Sequence, residues 1–250
     1  MSNEIMCKSL YSKVIKKDFG ILFYNEKNKM SHDSNHAILF EDKISDLRTH
    51  LEEIKNFYIK KDLNPRIYQT KDGYFKANQC IFEEAGFELI RYGDGLNKYS
   101  TLSEKCQINQ KSTLKIRVLQ KYDDRILSDI FGPDDCAFDA LTIKEAFMNR
   151  HFYLVIGEKN GRFVTCASIY YYHGIGRIDH VETTKSERGK GYCLELFQFI
   201  VEWHRNNFSK YTLFEWPANE IAEKIYYNAG FRYLFSKENT VAVYTANYKK

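Results

Sequence analysis

The chain has 250 residues, 44% of them hydrophobic and 28% charged, an ordinary balance for one large or two small globular domains. Its net charge of +4 comes from 37 basic and 33 acidic residues dispersed along the chain, with no concentrated basic stripe of the kind that binds nucleic acid. No apolar run approaches the ~20 residues a membrane helix needs, and residues 1–10 lack the apolar centre of a signal peptide, so a cytoplasmic protein without membrane or nucleic-acid partners is expected.

The first half opens with strand-like runs at 20–24 and 36–40. A helix is predicted over 44–61, where Leu47, Leu51, Ile54 and Tyr58 recur at spacings of four, three and four, and Asn64-Pro65 breaks it. Residues 66–68 form a short predicted strand. A second helix over 74–85 stops at Gly86. Residues 87–92 read as a strand, and Gly93-Asp94-Gly95 as a turn into another. The polar stretch 103–112 is the candidate linker.

The second half restarts with a strand at 114–119 and helical stretches at 123–130 and 138–149. Residues 152–156 and 163–172 flank Asn160-Gly161, a hairpin turn. His173-Gly174-Ile175-Gly176 is a further turn, since no helix follows it, and leads into a strand at 178–184. A glycine-rich run, Arg188-Gly189-Lys190-Gly191-Tyr192-Cys193, then precedes an amphipathic helix at 194–204. Such a loop suits a phosphate: glycine lets the backbone approach closely, and a helix N-terminus offers free amides and about half a positive charge. Arg188 and Lys190 add to that charge. A strand at 211–216, a helix from Asn219 to Gly230 and strands at 231–235 and 241–248 complete the pattern of a mixed α/β sheet.

The six cysteines, at 7, 80, 106, 136, 166 and 193, lie at least 26 residues apart and form no metal-binding or disulfide pattern, so buried reduced thiols and no metal are expected. The run 81–87, IFEEAGF, is echoed by 225–231, IYYNAGF, each ending a helix at Gly and opening a strand with Phe. With the similar order of elements around both copies, this predicts a duplicated domain.

Two motifs carry a resemblance. Arg188, Gly191 and Cys193 fit Gln/Arg-x-x-Gly-x-Gly/Ala, with Cys193 departing from the small final residue; Asn219, Ala222, Ile225, Tyr226, Gly230 and Phe231 fit Asn-x-x-Ala-x-x-aliphatic-Tyr-x-x-x-Gly-Phe without departure. On these, residues 113–248 resemble the GNAT superfamily of acyl-CoA-dependent N-acyltransferases. The resemblance implies a mixed, mostly antiparallel twisted sheet flanked by helices, in two related domains: 1–110, degenerate, and 111–250, binding acyl-CoA. The first half lacks the loop motif; its counterpart, Leu39-Phe40-Glu41-Asp42-Lys43, is acidic and free of glycine, which repels pyrophosphate.

The resemblance implies an N-acetyltransferase that moves an acetyl group from acetyl-CoA, a co-substrate, to a primary amine by direct attack. The alternatives are a non-catalytic acyl-CoA-binding regulatory module, or transfer of another acyl group. Residues Arg188, Gly189, Lys190, Gly191, Tyr192 and Cys193 would hold the pyrophosphate, and the backbone of Val181 and Thr183 the pantetheine. Tyr226 matches the general acid; a core aromatic is its plainer reading. His180 or Glu182, placed on one side of their strand by alternation, would be the base, against a satisfied core histidine and a solvent-facing charge. Asn219 is an N-cap and a coenzyme neighbour. Tyr170, Tyr171, Tyr172 and Trp216 would line an acceptor pocket or belong to the core. Stretch 131–147 and parts of the first half would help read the acceptor, a small-molecule or protein amine. Neither the acceptor nor the oligomeric state is readable from the residues.

Overall fold

The computed structural model describes residues 3–103, 112–132 and 137–245. In chain order these form α1 (Asn3–Lys8), β1 (Lys13–Lys17), β2 (Gly20–Tyr24), β3 (His36–Leu39), α2 (Leu47–Ile59), β4 (Arg66–Tyr68), α3 (Tyr74–Ala77), α4 (Gln79–Glu84) and β5 (Phe87–Leu102). There follow β6 (Lys115–Val118), a π-helical turn (Ile126–Phe131), α5 (Ala137–Ala146), β7 (Phe152–Lys159), β8 (Arg162–Tyr172), β9 (Ile175–Thr183), α6 (Tyr192–Phe208), β10 (Thr212–Glu215), α7 (Glu220–Asn228) and β11 (Phe231–Tyr244). The expected class, a mostly antiparallel mixed sheet with helices, is what forms; among the described residues β3 pairs parallel with β4 and β9 with β10.

The chain divides into two compact units, each discontinuous in sequence: Tyr11–Asn97 with Ser236–Lys250, and Met1–Leu10 with Lys98–Phe235. The sequence reading makes one cut at 110/111 instead, and most of its candidate linker, 104–111, lies outside the described residues. Each unit repeats one order of elements. In the first it is β1, β2, β3, α2, β4, α3 and α4, with β2 antiparallel to β1 and β3. In the second it is β7, β8, β9, α6, β10, α7, with β8 antiparallel to β7 and β9. Each parallel pair gains an antiparallel closing strand: Val241–Val243 of β11 pairs with β4, and Ser100–Thr101 of β5 with β10.

In the first unit the apolar stripe of α2 packs Leu47, Leu51, Ile54 and Tyr58 against Leu22, Leu39, Ile67, Phe75, Phe82 and Phe87. The buried Tyr58 hydroxyl donates to the Phe23 carbonyl at 2.8 Å, so the one polar atom on that stripe is satisfied. The helix predicted over 74–85 is two helices. Asn78 leaves helical geometry at φ −114°, and its side-chain amide donates back to the Tyr74 carbonyl at 2.9 Å, a local bond that competes with the helix. The turn predicted at Gly93-Asp94-Gly95 is strand: Gly93 (φ +59°) and Gly95 (φ +86°) adopt left-handed conformations inside β5.

In the second unit Leu196, Phe197, Ile200 and Val201 of α6 pack on Val155, Ala167, Ile169 and Tyr171 of the sheet, with Tyr226 of α7, its C-cap Ala229 and Phe231 of β11. The echo between the halves extends to geometry. Ala85 and Ala229 both donate to the carbonyl four residues back, Ile81 and Ile225, at 3.1 and 3.0 Å; Gly86 (φ +87°) and Gly230 (φ +100°) then turn the chain into a strand. Of the described cysteines, Cys7 and Cys166 are buried and Cys193 half-buried, while Cys80 is exposed, against the expectation of burial. Cys80 lies two residues, about 200° of helical turn, before the buried Phe82 of α4, and so on its solvent side. No helix among the described residues is long and apolar enough to cross a membrane.

Candidate functional site

The site is built where β9 and β10 part. Their parallel ladder joins Ile175, Gly176 and Arg177 to Thr212, Leu213 and Phe214 and ends there. From Ile178 onward β9 pairs with β8 alone among these strands, so the pairing opens there as a wedge: past Arg177 the β10-side edge of β9 has no rung with β10. A bulge lies within that stretch. Asp179 and Glu182, three apart, oppose Ser168 and Cys166, two apart, and His180 takes φ +49°. The period of two fails across a bulge, so the alternation that was to set His180 and Glu182 on one side does not apply. Ser168 Oγ meets His180 Nδ1 at 2.9 Å. Glu182 instead accepts from Arg188 (2.8 Å) and from the Thr183 amide (2.9 Å).

Beyond Thr183 a 3-10 turn, Lys185–Glu187, leads to the glycine loop. Gly189 (φ +79°) and Gly191 (φ +84°) are left-handed, and a Cβ on either would meet open space, so backbone conformation rather than crowding calls for glycine. Gly191 is the N-cap of α6, which starts at Tyr192, two residues before the predicted start. The first turn closes when the Glu195 amide donates to the Gly191 carbonyl at 3.1 Å. Helical geometry leaves the amides of Tyr192, Cys193 and Leu194 without intrahelical acceptors. The Tyr192 ring is buried and its hydroxyl accepts from Lys159.

The loop cations are not bare. Arg188 donates to the Thr183 carbonyl (3.0 Å) as well as to Glu182, and Lys190 pairs with Glu187 at 2.9 Å. The added positive charge expected from Arg188 and Lys190 is thus balanced by neighbouring carboxylates. Both groups of the Thr183 backbone, the amide and the carbonyl, are engaged by side chains of this same cluster. Val181 is half-buried against the α6 core. Beside the loop lies a surface pocket of about 430 Å³ lined by Lys159, Arg162, Thr184, Ser186, Lys190 and Tyr192, among others.

Across the wedge, α7 is capped by Asn219, whose Oδ1 accepts from the Ala222 amide at 3.0 Å. The cap orients Tyr226, which is 5% exposed and stacked on Phe197 with ring centroids 4.3 Å apart. Burial pushes its hydroxyl pKa well above that of a free phenol, and the neighbouring Cys193, Glu215, Asp179 and Glu182 add to the rise. Tyr227 points to solvent, under Arg232. Burial likewise pushes the Cys193 thiol up to about 12, so it stays protonated, as a compact packing residue and not a nucleophile.

Three residues that sequence reasoning missed complete the arrangement. Arg177, 2% exposed, donates to Asp179 at 2.9 Å and lies over the Trp216 ring at 4.1 Å. Glu215, also 2% exposed, faces the core from the end of β10; burial pushes its carboxyl up to about 9, countered in part by the nearby Ser100 hydroxyl. Among the described residues neither Glu215 oxygen reaches a partner in hydrogen-bonding geometry. The available sign was an acid in the inward register of β10, two residues after the buried Leu213. Tyr170 and Tyr171 are buried, and Tyr171 bonds His204 at 2.8 Å, so these two belong to the core.

The first unit repeats the β–α–β order without the loop. Between β3 and α2 stands a 3-10 turn, Glu41–Lys43. Glu41 accepts from the Thr70 and Lys71 amides at 3.1 and 3.2 Å, and Asp42 pairs with Lys71. This turn stands where the second unit has Lys185–Glu187, and α2 is capped by Asp46 where α6 is capped by Gly191.

Residues 121–231 match the sequence pattern of the Acetyltransferase (GNAT) family. Among solved structures the chain is similar to a GCN5-related N-acetyltransferase from Kribbella flavida, at 12% identity and TM-score 0.60, over 96% of this chain and 91% of that one. A functionally unknown conserved protein from Staphylococcus epidermidis matches at 11% identity and TM-score 0.60, over 94% of each chain. A GCN5-related N-acetyltransferase from Sphaerobacter thermophilus matches at 13% and 0.57, over 90% and 80%. At such identities these likenesses speak to the fold. No curated protein matches the chain. Residues 121–231 thus carry the pattern of the Acetyltransferase (GNAT) family, within a chain whose fold is similar to that of these structures.

Proposed function

We propose that the protein transfers an acyl group, acetyl in the first instance, from acyl-CoA to a primary amine. The observation that carries this reading is the stretch of β9 left without a rung to β10, which leads into a left-handed glycine loop and the first-turn amides of α6, with Cys193 and Glu182 as neighbours of the Tyr226 hydroxyl. Pyrophosphate would take the amides of 192–194 and draw Arg188 from Glu182. Each charge-assisted bond of that kind contributes about 1.5–3 kcal/mol. Pantetheine would pair with the β9 edge at Val181, and at Thr183 once Glu182 and Arg188 release its amide and carbonyl, as an added strand does. The amine then attacks the thioester carbonyl directly, both reactants being held in one cleft.

Tyr226 donates to the departing thiolate. Its raised pKa keeps the proton on oxygen at neutral pH, so it acts first as a hydrogen-bond donor to the developing negative charge. The first unit, with the acid Asp46 at the N-cap position where the second has Gly191, takes no coenzyme in this reading.

Calorimetry with acetyl-CoA tests the coenzyme. Wild type should bind, and the double variant Arg188→Ala/Gly191→Glu should not; unchanged binding in the double variant refutes the reading. Tyr226→Phe separates enzyme from binding module: an enzyme loses kcat while keeping coenzyme affinity, whereas a module has no turnover to lose. Competition among short and long acyl-CoAs identifies the acyl group.

A further inference from the structure

Glu215 is the first residue of β10 beyond its last pairing with β9, Phe214 with Arg177, and so stands at the closed end of the wedge. It shares a face of β10 with Leu213, which packs in one cluster with Tyr226 and Phe197. Three carboxylates lie around the Tyr226 hydroxyl: Glu215, Asp179 and Glu182. Asp179 is held by Arg177 and Glu182 by Arg188. Glu215 alone of the three has both oxygens buried without a hydrogen-bond partner among the described residues. Its register partner Ser100 lies opposite on β5, and Glu223 and Tyr226 face it from α7. Glu223 is itself paired with Lys98 at 3.0 Å. A buried carboxyl kept in this state calls for a partner that arrives from outside.

Resting on the acyltransferase reading above, we propose that the missing partner is the acceptor's ammonium, and that Glu215 binds it and takes its proton. An alkylammonium presents three donors and one positive charge, which satisfies both oxygens and favours the ionised carboxylate. The carboxylate takes one proton from the ammonium. The freed nitrogen lone pair forms the C–N bond to the thioester carbonyl carbon as the C–S bond breaks. The thiolate takes a proton from Tyr226, and the second proton leaving the nitrogen restores it. Glu215, neutral at rest, gives its own proton to solvent as the ammonium docks and ends the step holding the one taken from nitrogen, so one proton is released per amide formed. The proposal selects acceptors that enter as cations, and it moves the base from His180 and Glu182 to β10.

The experiment compares wild type, Glu215→Gln and Glu215→Leu at pH 7.5 by acetyl-CoA calorimetry, thermal melting and release of free CoA. The acceptor probes are putrescine, lysine, kanamycin and a lysine-bearing peptide. Both variants should bind acetyl-CoA within about threefold of wild type, and kcat/KM for the accepted amine should fall by about 10²–10⁴-fold, the span of a general base. Activity of Glu215→Gln should recover as the pH approaches the pKa of the amine, where solvent supplies the free base. Glu215→Leu should melt higher than wild type, the mark of an acid kept for chemistry and not for folding. Wild-type kcat/KM in Glu215→Gln overturns the proposal. So does joint loss of coenzyme binding and melting temperature in both variants, which marks a structural residue. Tight acetyl-CoA binding with no turnover of any amine overturns it while leaving a coenzyme-binding module. Absence of acetyl-CoA binding by wild type refutes the acyltransferase reading itself, and the proposal with it.

Discussion

Replacing Glu215 by glutamine keeps its shape and removes its titration, which isolates the energetic consequence of burying a carboxyl. Burial raises the native pKa of this group to about 9, against about 4.3 in an unfolded chain. Between those values the native state binds the proton that the unfolded state has released, so wild-type stability falls as the pH rises. Below pH ~4 the full contribution is present; above pH ~9 it is gone. At 1.36 kcal/mol per pH unit, wild type should lose about 4 kcal/mol relative to Glu215→Gln on going from pH 4 to pH 7.5, and about 6 kcal/mol by pH 9. Equilibrium urea unfolding of both proteins at pH 4.5, 6, 7.5 and 9 measures the gap. It should open steadily in favour of the glutamine variant. Stability curves that stay parallel across this range would show that Glu215 ionises at an ordinary pH and reaches water, and the argument from burial would be wrong.

Three other expectations are local. Asn219→Ala removes the side chain that caps α7 and should destabilise the protein by about 1 kcal/mol, read as a lower denaturation midpoint with unchanged slope. Tyr58→Phe leaves the buried Phe23 carbonyl without its 2.8 Å donor and should cost about 1–3 kcal/mol in the same assay; no change would mean that another donor reaches that carbonyl. Glu182→Gln frees Arg188 from a competing carboxylate and should tighten acetyl-CoA binding several-fold by calorimetry, most visibly at low salt; weaker binding would show that Glu182 positions Arg188 instead of competing for it.

Much of the fold was legible because it is written in local patterns. The stripe Leu47, Leu51, Ile54, Tyr58 is a helical period and is the buried face of α2. Asn160-Gly161 marked its hairpin turn, and Asn219 its cap, because both features depend on one or two residues. What escaped depends on partners distant in sequence. β1, Lys-Val-Ile-Lys-Lys, is largely polar and exists through its ladder with β2. β5 runs through two glycines that, read locally, signal a turn. β11 continues unbroken from Phe231 to Tyr244, where the sequence suggested two strands. In the site, the loop and cap were visible as motifs. The bulge that rearranges His180 and Glu182 was not, since an extra residue in one strand shows only against its neighbour. The state of Arg188 and Lys190 was hidden for the same reason: a cation in a sequence carries no record of the acid that meets it. Glu215 lay in plain view, but only burial separates it from a surface acid.

The exchange of closing strands bears on how the molecule is made. β4 is complete near residue 68, but its antiparallel neighbour is Val241–Val243, more than 170 residues later. During synthesis at ~5–20 residues per second, that edge waits roughly 10–30 s for its partner. Until then β4 presents backbone donors and acceptors to any other extended chain. The polypeptide cannot finish its first unit before translating nearly all of its second, and cutting it at 110/111 would leave one fragment without its closing strand and the other without Ser100 and Thr101 beside β10. The arrangement makes the nascent chain, more than the finished protein, the form most exposed to mispairing.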